Sequence, residues 1–438
     1  AAAGASVGLG NIWRFPYLAA KYGGGIFLII YIVLALTFGY TMIVAETAIG
    51  RMTRKSPVGA FKSFGKKKWL SFGGWINAVI PVLIVPYYSV IGGWVIKYLV
   101  EYFRGNAKLL AEDGYFTDFI SNGVSTELCF VAFCAFTLII IFAGVQNGIE
   151  RVSKIMMPIL IVLSVIIAVY SVTRPGSLAG VKYFLVPNVK NFSWMTVVSA
   201  MGQMFYSLSI AMGILITFGS YMKKDTAIED STRNVEIFDT GIAIMAGLMI
   251  IPAVFAFSGG DPNTLQAGPS LMFITIPKVF QNMGFGTVIG IVFFLLVLFA
   301  AVTSSIALTE SAVSTFEDEL GWGRKKATVL VGVIMLALGS LSSLGYGPLA
   351  GIKIIGMQFL DLFDFLTNSV MMPIAAFLTS LFVSRVVGID KIEEEIIHGE
   401  SAFRRKKVFV VMIKYLCPVF AIIILLSSVA NALGWIKM

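Results

Sequence analysis

The residue types best able to hold a small ion or ligand crowd one run near the start of the chain, Gly4-Ala5-Ser6-Val7-Gly8-Leu9-Gly10-Asn11-Ile12-Trp13-Arg14-Phe15-Pro16-Tyr17. Three glycines, an Asn, an Arg and a helix-breaking proline stand there among residues otherwise apolar enough for a membrane span. A broken helix frees backbone N–H and C=O groups, and in a bilayer these persist only where they line a cavity or bind something. A second interruption, Tyr206-Ser207-Leu208-Ser209-Ile210-Ala211-Met212-Gly213, puts two serines and small residues into another apolar run. Its alternative reading is serine hydroxyls bonding back to their own helix.

Two further stretches offer faces toward the breaks. Ala300, Thr303, Ser304 and Leu308 follow the i, i+3, i+4, i+8 spacing of one helical face. Two hydroxyls and a carbonyl pointing one way are hard oxygen ligands, suited to an alkali cation. Ile84 and Tyr88 share another face, so the Tyr88 hydroxyl can lie over a ligand while the adjacent Tyr87 points elsewhere. Plain helix packing by small residues and aromatics gives the same pattern. The ionisable residues inside apolar runs are Arg14, Glu46, Asp239, Glu310, Asp361 and Asp364, and such groups are costly in a membrane and usually functional. Arg14 with Asp361 or Asp364 reads as an outer gate and Glu46 as a cap for freed amides; static internal ion pairs are the alternative.

These side chains need a scaffold, and composition defines its class. Of 438 residues, 58% are hydrophobic and 13% charged, against about 25% charged in soluble domains, so the chain is a polytopic membrane protein. Its net charge of +9 lies in short loops between apolar runs, as orientation signals do, which argues against nucleic-acid binding. Cys129, Cys134 and Cys417 form no CxxC pair, and His398 has no neighbouring His or Cys with which to hold a metal. No nucleophile elbow, P-loop or metalloprotease motif is present. An enzyme is not expected.

Apolar runs near residues 1–20, 25–50, 75–103, 126–144, 155–173, 196–221, 237–257, 286–315, 326–343, 353–384 and 408–434 predict eleven transmembrane helices. A cytoplasmic N-terminus puts Arg51 to Lys68, Arg151 and Lys154, Lys223 and Lys224, Arg324 to Lys326, and Arg385 to Lys407 inside, and an eleventh span then ends outside. The half-helix before the first break is too short for its share of a ~30 Å core, so residues are expected before position 1. The segment Gly259–Phe285, with Pro262, Pro269, Pro277 and the apolar Leu271–Ile276, reads as an outer lid or a disordered outer loop. The breaks fall in spans one and six, matching positions of two five-helix repeats of inverted topology, a pattern that points to a transporter's midplane site. The predicted fold is therefore all-α and polytopic: one transporter domain, 1–438, with a 5+5 inverted repeat (1–173 and 196–384), discontinuous helices 1 and 6, and an additional helix at 408–434.

The run GASVGLGNIWRFPYLA followed by Tyr22-Gly23-Gly24-Gly25 resembles the first-helix signature of the neurotransmitter:sodium symporter family. Thr303-Ser304-Ser305-Ile306-Ala307, preceding Glu317-Asp318-Glu319, resembles its eighth helix. The resemblance runs along nearly the whole chain, and eleven spans match the family's shorter bacterial members. It implies sodium-coupled symport by alternating access in a cell membrane, with two Na+ ions. One ion would be held by the Ser6 carbonyl, Asn11, Ser207, Asp239 and the substrate carboxylate. The other would be held by the Gly4, Val7 and Ala300 carbonyls and the Thr303 and Ser304 hydroxyls.

Gly8 stands where monoamine-transporting relatives place an Asp, leaving amides at a half-helix end for a substrate carboxylate. An amino acid is expected, contacting Ser6, Gly8, Leu9, Gly10, Ile84, Tyr88, Tyr206, Ser207, Ser209, Met212, Ser304 and Leu308. That lining is mostly apolar, so a hydrophobic or aromatic amino acid is favoured. Asp239 replaces the family's commoner Asn near Tyr31, Gln203 and Ser207, where chloride-dependent relatives hold the anion, and a fixed carboxylate there implies chloride independence. Protonation of Asp239 on the return step would add proton counter-transport. Gates implied by the resemblance are Arg14, Tyr88, Tyr206 and Asp364 outside, with Asp318 and the Gly148-x9-Pro158 element inside; the basic partner of Asp318 would precede residue 1. A channel, which would show current without saturable uptake, and a binding-only receptor are the competing readings.

Overall fold

The computed structural model describes residues 6–65, 67–260, 269–432 and 435. Among these residues the structure is helical, with isolated bridges at Gly24–Pro187 and Ile354–Met357 and no strand. Nine helices among the described residues are long and apolar enough to cross a membrane: Gly25–Thr53, Lys68–Phe103, Gly123–Phe142, Val145–Val172, Ile228–Ser258, Gly286–Leu320, Arg324–Leu344, Phe359–Val387 and Lys406–Ala432. Side chains such as Val33, Leu128, Val162 and Leu426 are more than half exposed on them. A surface that apolar is stable only with hydrocarbon as its solvent.

Several helices outrun the apolar stretches that mark them in the sequence. Val145–Val172 starts ten residues before 155, and Ile228–Ser258 starts nine before 237. Hydropathy reads the hydrocarbon slab alone, whereas the helix continues through polar turns such as Val145–Glu150 and Glu229-Asp230 beyond it. Local signals set some ends. Ser193 and Thr196 form a capping box that opens Trp194–Ser207, Asn122 caps Gly123–Phe142 by accepting from Ser125 N–H, and Gly259 at φ 70° ends Ile228–Ser258.

The two interrupted segments lie inside this set of long helices. Wide helical turns, Gly10–Arg14, lead into Phe15–Lys21, and Trp194–Ser207 is separated from Ile214–Tyr221 by the second break. Ile214–Tyr221 packs on Tyr40–Thr53 at backbone distance, because a Cβ on Gly50 would come 2.0 Å from the Ile216 carbonyl oxygen. Part of the Gly259–Phe285 segment is helical, as Leu271–Thr275 and Ile276–Gln281; its residues 261–268, with Pro262, lie outside the described residues. The Phe273 carbonyl accepts from Tyr98 O–H at 2.8 Å, and its ring stacks on Phe116 at 5.1 Å.

That loop marks one end of the bundle; the opposite end is basic and internally paired. Arg51 is fully buried there, donating to the Glu395 carboxylate at 2.6 Å, to the Thr226 carbonyl at 2.5 Å and to the Glu395 carbonyl. Removing one partner of a buried pair strands the other charge, which is costlier than replacing both. Arg51→Met is expected to destabilise the protein by about 3–5 kcal/mol, and Arg51→Met/Glu395→Leu to recover most of that loss, read from denaturant or thermal unfolding in detergent.

Candidate functional site

The first break lies at Val7-Gly8, between residues helical on either side. The second spans residues 208–213, and three of its residues, Ser209 (φ 55°), Ala211 (φ 59°) and Gly213 (φ 69°), are left-handed. Two of those are not glycine, and such a conformation persists only when its surroundings over-determine it. Glu46, fully buried on Tyr40–Thr53, supplies a clamp: its Oε1 accepts from Ala211 N–H at 2.8 Å. This is the capping role that its place in an apolar run suggested.

Between the breaks lie two groups of oxygen atoms. In one, the Asp239 carboxylate, with no solvent exposure, accepts from Tyr31 O–H at 2.6 Å, Ser207 O–H at 2.5 Å and Asn11 Nδ2 at 2.8 Å. Asn11 Nδ2 also donates to Ser207 Oγ at 2.9 Å, while Asn11 Oδ1 accepts from Gly8 N–H at 3.0 Å. Among the described residues Asp239 has no Lys or Arg partner. Gln203 Nε2 donates to the Gly10 carbonyl at 3.0 Å, one residue from Asn11. In the other group the Val7 carbonyl accepts from Ser304 O–H at 3.1 Å and Thr303 O–H at 3.4 Å, and Thr303 also donates to the Ala300 carbonyl at 3.1 Å. Gly4, expected in that group, lies outside the described residues.

A small cavity joins the two groups. It is lined by Ser6, Gly8, Leu9, Gly10, Ile84, Tyr88, Tyr206, Ser207, Ser209, Met212, Ser304 and Leu308, and also by Asn11 and Ile214. Ile214 had no signal of its own in the sequence beyond opening the helix that resumes after Gly213. The Tyr88 hydroxyl accepts from Leu9 N–H at 3.3 Å, so it is held at the first break. A Cβ on Gly8 would come 2.5 Å from Ser304 Oγ; no larger residue fits without moving that hydroxyl. The space is about 30 Å³, room for about one water.

Above it, at the loop end, a cavity of about 480 Å³ is lined by Trp13, Arg14, Tyr17, Tyr87, Phe205, Tyr206, Asp361, Asp364 and Asn368, among others. Arg14 and Asp364 face that cavity without forming the ion pair expected from their charges. Arg14 instead stacks over the Tyr206 ring at 5.2 Å, and Asp364 accepts from Tyr87 O–H at 3.2 Å and Asn368 Nδ2 at 2.5 Å. Asp361 takes Tyr346 O–H at 3.4 Å. Local donors thus satisfy both carboxylates, and an aromatic face satisfies the guanidinium.

The basic end holds direct contacts between helices beside a cavity of about 760 Å³ lined by Thr47, Glu150, Tyr221 and Thr226 among others. Asp318 accepts from Ser56 N–H at 2.5 Å, and Glu319 pairs with Lys62 at 2.6 Å. Glu310, a buried carboxylate in the sequence reading, binds Arg324 at 2.6 and 3.0 Å and Tyr221 O–H at 2.7 Å. Gly148 and Pro158 lie in helix that runs unbroken from Val145 to Val172; the stretch is wound here, as wide turns and then α-helix.

Among the described residues, nine long apolar helices and two broken ones, with polar atoms gathered at the breaks, define a multi-pass membrane protein with a small internal cavity at its centre. The family model for the sodium:neurotransmitter symporter family matches residues 1–111 and 117–435. The chain is 34% identical over 433 residues to the uncharacterized sodium-dependent transporter YhdH of Bacillus subtilis, covering 98% of this chain and 95% of that one. It is 31% identical over 442 residues to an uncharacterized sodium-dependent transporter of Haemophilus influenzae, covering 97% and 95%. Its structure superposes on that of MhsT in complex with L-phenylalanine with a TM-score of 0.87, at 34% identity, covering 98% and 97%. The chain belongs to the sodium:neurotransmitter symporter family; it is a sodium-coupled membrane transporter and not an enzyme.

The clamp on the second break is testable by itself. Glu46→Gln keeps an acceptor for Ala211 N–H, whereas Glu46→Ala leaves a buried amide bare, at about 1–3 kcal/mol. The Ala variant is therefore expected to unfold at markedly lower temperature in detergent than the Gln variant.

Proposed function

We propose that this transporter imports a hydrophobic or aromatic L-amino acid with two Na+ ions, independently of chloride, by alternating access. The observation that carries the reading is the fully buried Asp239 carboxylate at the helix breaks, surrounded by oxygen donors and lacking a cationic side chain among the described residues. A buried anion of this kind needs a cation, and the position that Asn11 Nδ2 takes between Ser207 Oγ and Asp239 Oδ1 suits one. Turning the Asn11 amide would offer Oδ1 to Na+ and release Gly8 N–H from Asn11, freeing that amide for a substrate carboxylate. One ion is assigned to Ser6, Asn11, Ser207 and Asp239 with the substrate carboxylate, the other to Gly4, Val7, Ala300, Thr303 and Ser304. Sharing the carboxylate makes substrate and the first ion raise each other's affinity.

Ile84, Met212, Ile214 and Leu308 with Tyr88 and Tyr206 form the apolar share of the lining, which favours an apolar side chain, and MhsT, similar along the whole chain, was solved with L-phenylalanine. At about 30 Å³ the cavity admits such a residue only if side chains yield; Tyr206 borders the larger cavity as well and has room to swing, and Met212 is the flexible chain of the lining. The Asp239 charge replaces chloride in balancing sodium at close range. Tyr31 and Ser207 donate to that carboxylate. The reading includes eleven spans as a 5+5 inverted repeat, 1–173 and 196–384, with 408–434 added, a cytoplasmic N-terminus and an extracellular C-terminus in the cell membrane. In it Tyr88, Tyr206, Arg14 and Asp364 gate the outer path, while Asp318 and unwinding at Gly148–Pro158 gate the inner one. Two charges moving with a zwitterion are worth ~4.6 kcal/mol per 100 mV, enough for roughly thousandfold accumulation before any sodium gradient is counted.

Radiolabelled leucine, phenylalanine, tryptophan, glutamate and lysine, offered to purified protein in NaCl, KCl and sodium gluconate, test the reading. Binding of an apolar amino acid is expected in both sodium salts and not in potassium; equal binding in potassium would overturn the coupling. In Asp239→Asn, sodium-dependent uptake into proteoliposomes is expected to fall at least about tenfold without chloride, the loss of roughly one charge interaction. Gly8→Ala, by pressing on Ser304 Oγ, is expected to weaken amino-acid binding at least about tenfold with little change in unfolding temperature.

A further inference from the structure

Away from the transport path, at the loop end of the bundle, the helices Gly123–Phe142 and Arg324–Leu344 leave a groove of about 520 Å³ between them. Its walls are apolar: Val124, Leu128 and Val131 from the first helix, Leu344 and Pro348 from the second helix and the turn after it. Val124 and Leu128 are 73% and 67% exposed, and with Val131 they fall at i, i+4 and i+7 on one helix face, so the groove opens toward lipid. Gly123 keeps it narrow at the top, where its Cα stands so close to Pro348 that a Cβ would be 2.9 Å from the ring.

One wall group does not belong in hydrocarbon. Glu127 lines the groove. Its Oε1 accepts from Ser340 O–H across the two helices, but its Oε2 is buried with no hydrogen-bond partner. No Lys or Arg among the described residues pairs with it. A carboxylate oxygen shut away from water with no hydrogen-bond donor is costly. Glu127 is the fifth residue of its helix, about 6 Å along the axis from the first, and so lies in the helix's terminal turns and not at its middle.

We propose that this groove is a binding site for a phospholipid with a primary ammonium headgroup, of the phosphatidylethanolamine type: the Glu127 side chain turns outward so that its unpartnered Oε2 accepts from the ammonium, while an acyl chain lies along Val124, Leu128 and Val131. Charge and hydrogen-bond complementarity select that headgroup. A primary ammonium brings both a positive charge and N–H donors, a choline headgroup brings charge without donors, and a glycerol headgroup brings a net negative lipid to a carboxylate. The acyl chain accounts for the apolar length of the groove, which a free amine would leave uncovered. Neither Glu127 nor Ser340 lines the transport cavities, so the site stands or falls separately from the amino-acid reading.

The test is native mass spectrometry of the whole protein released from detergent with lipids of identical acyl chains and ethanolamine, N-methyl-, N,N-dimethyl-ethanolamine or choline headgroups. On the wild type, retention is expected to fall with each methyl that replaces an N–H, to roughly one tenth from ethanolamine to choline. Glu127→Gln is expected to abolish the ranking while keeping choline-lipid retention and amino-acid binding. Equal retention of all four lipids by the wild type would overturn the site, and so would a ranking that survives Glu127→Gln. A lipid-free dimer as the dominant species would assign the groove to a second copy and also overturn it.

Discussion

The structure depends on one constraint: backbone amides and carbonyls released by a broken helix have no water to fall back on inside a bilayer. Several polar contacts at the centre of this protein answer that demand. Glu46 takes the Ala211 amide, Gln203 the Gly10 carbonyl, Tyr88 the Leu9 amide, and Ser304 and Thr303 the Val7 carbonyl. The partners come from four different helices outside the breaks or flanking them, so the two broken segments are tied into the bundle at several heights. A ligand that replaces any of these partners does so without paying for a new hole in the backbone hydrogen bonding, which is why breaks of this kind make ion and carboxylate sites.

Charge follows the same economy of position. Asp239 is the anion at the break, and three neutral donors, Tyr31, Ser207 and Asn11, hold it in place without neutralising it. Arg51, Glu310 and Glu395, by contrast, are buried with opposite charges in direct contact. The difference separates ion pairs complete in themselves from a buried carboxylate held by neutral donors alone among the described residues. Burial alone would not have told them apart.

Much of this was legible in the sequence because it is carried by residue type at fixed helical spacing. Gly8 and Gly10 in an apolar run, Ser304 and Leu308 of the eighth-span face and Ile84 with Tyr88 line one cavity, while Ala300 and Thr303 of that same face lie beside it, with Thr303 donating to the Ala300 carbonyl. What was not legible depends on side-chain choice among competing partners. Arg14 and Asp364 have opposite charges and share a cavity, yet Arg14 takes the Tyr206 ring and Asp364 takes Tyr87 and Asn368. The Gln203 amide, likewise, takes a backbone partner, the Gly10 carbonyl, that its residue type did not announce. Helix ends were misjudged for another reason: the Val145–Glu150 turns and the first turn of Ile228–Ser258 are polar, and polarity ends a hydropathic run without ending a helix.

The two ends of the bundle are unequal, and that inequality bears on how a path through it can work. At the loop end the cavity above Tyr206 is about 480 Å³, and its charged lining is held by local partners. At the basic end, Ser56 with Asp318, Lys62 with Glu319, and Tyr221 and Arg324 with Glu310 join separate helices directly. The basic end is not solid either: a cavity of about 760 Å³ lies there between Thr47, Glu150, Tyr221 and Thr226, beside the contacts that tie the helices together. Glu310 stands at the junction of three elements, since Arg324 also reaches the Ile141 carbonyl at 3.0 Å. Opening that end by moving Ile214–Tyr221 alone would strip Tyr221 from Glu310 but leave the Arg324 pair intact, so the carboxylate would stay neutralised in either arrangement. The contact that must be remade is thus the neutral hydroxyl, which costs less to expose to water than a charge costs to bury.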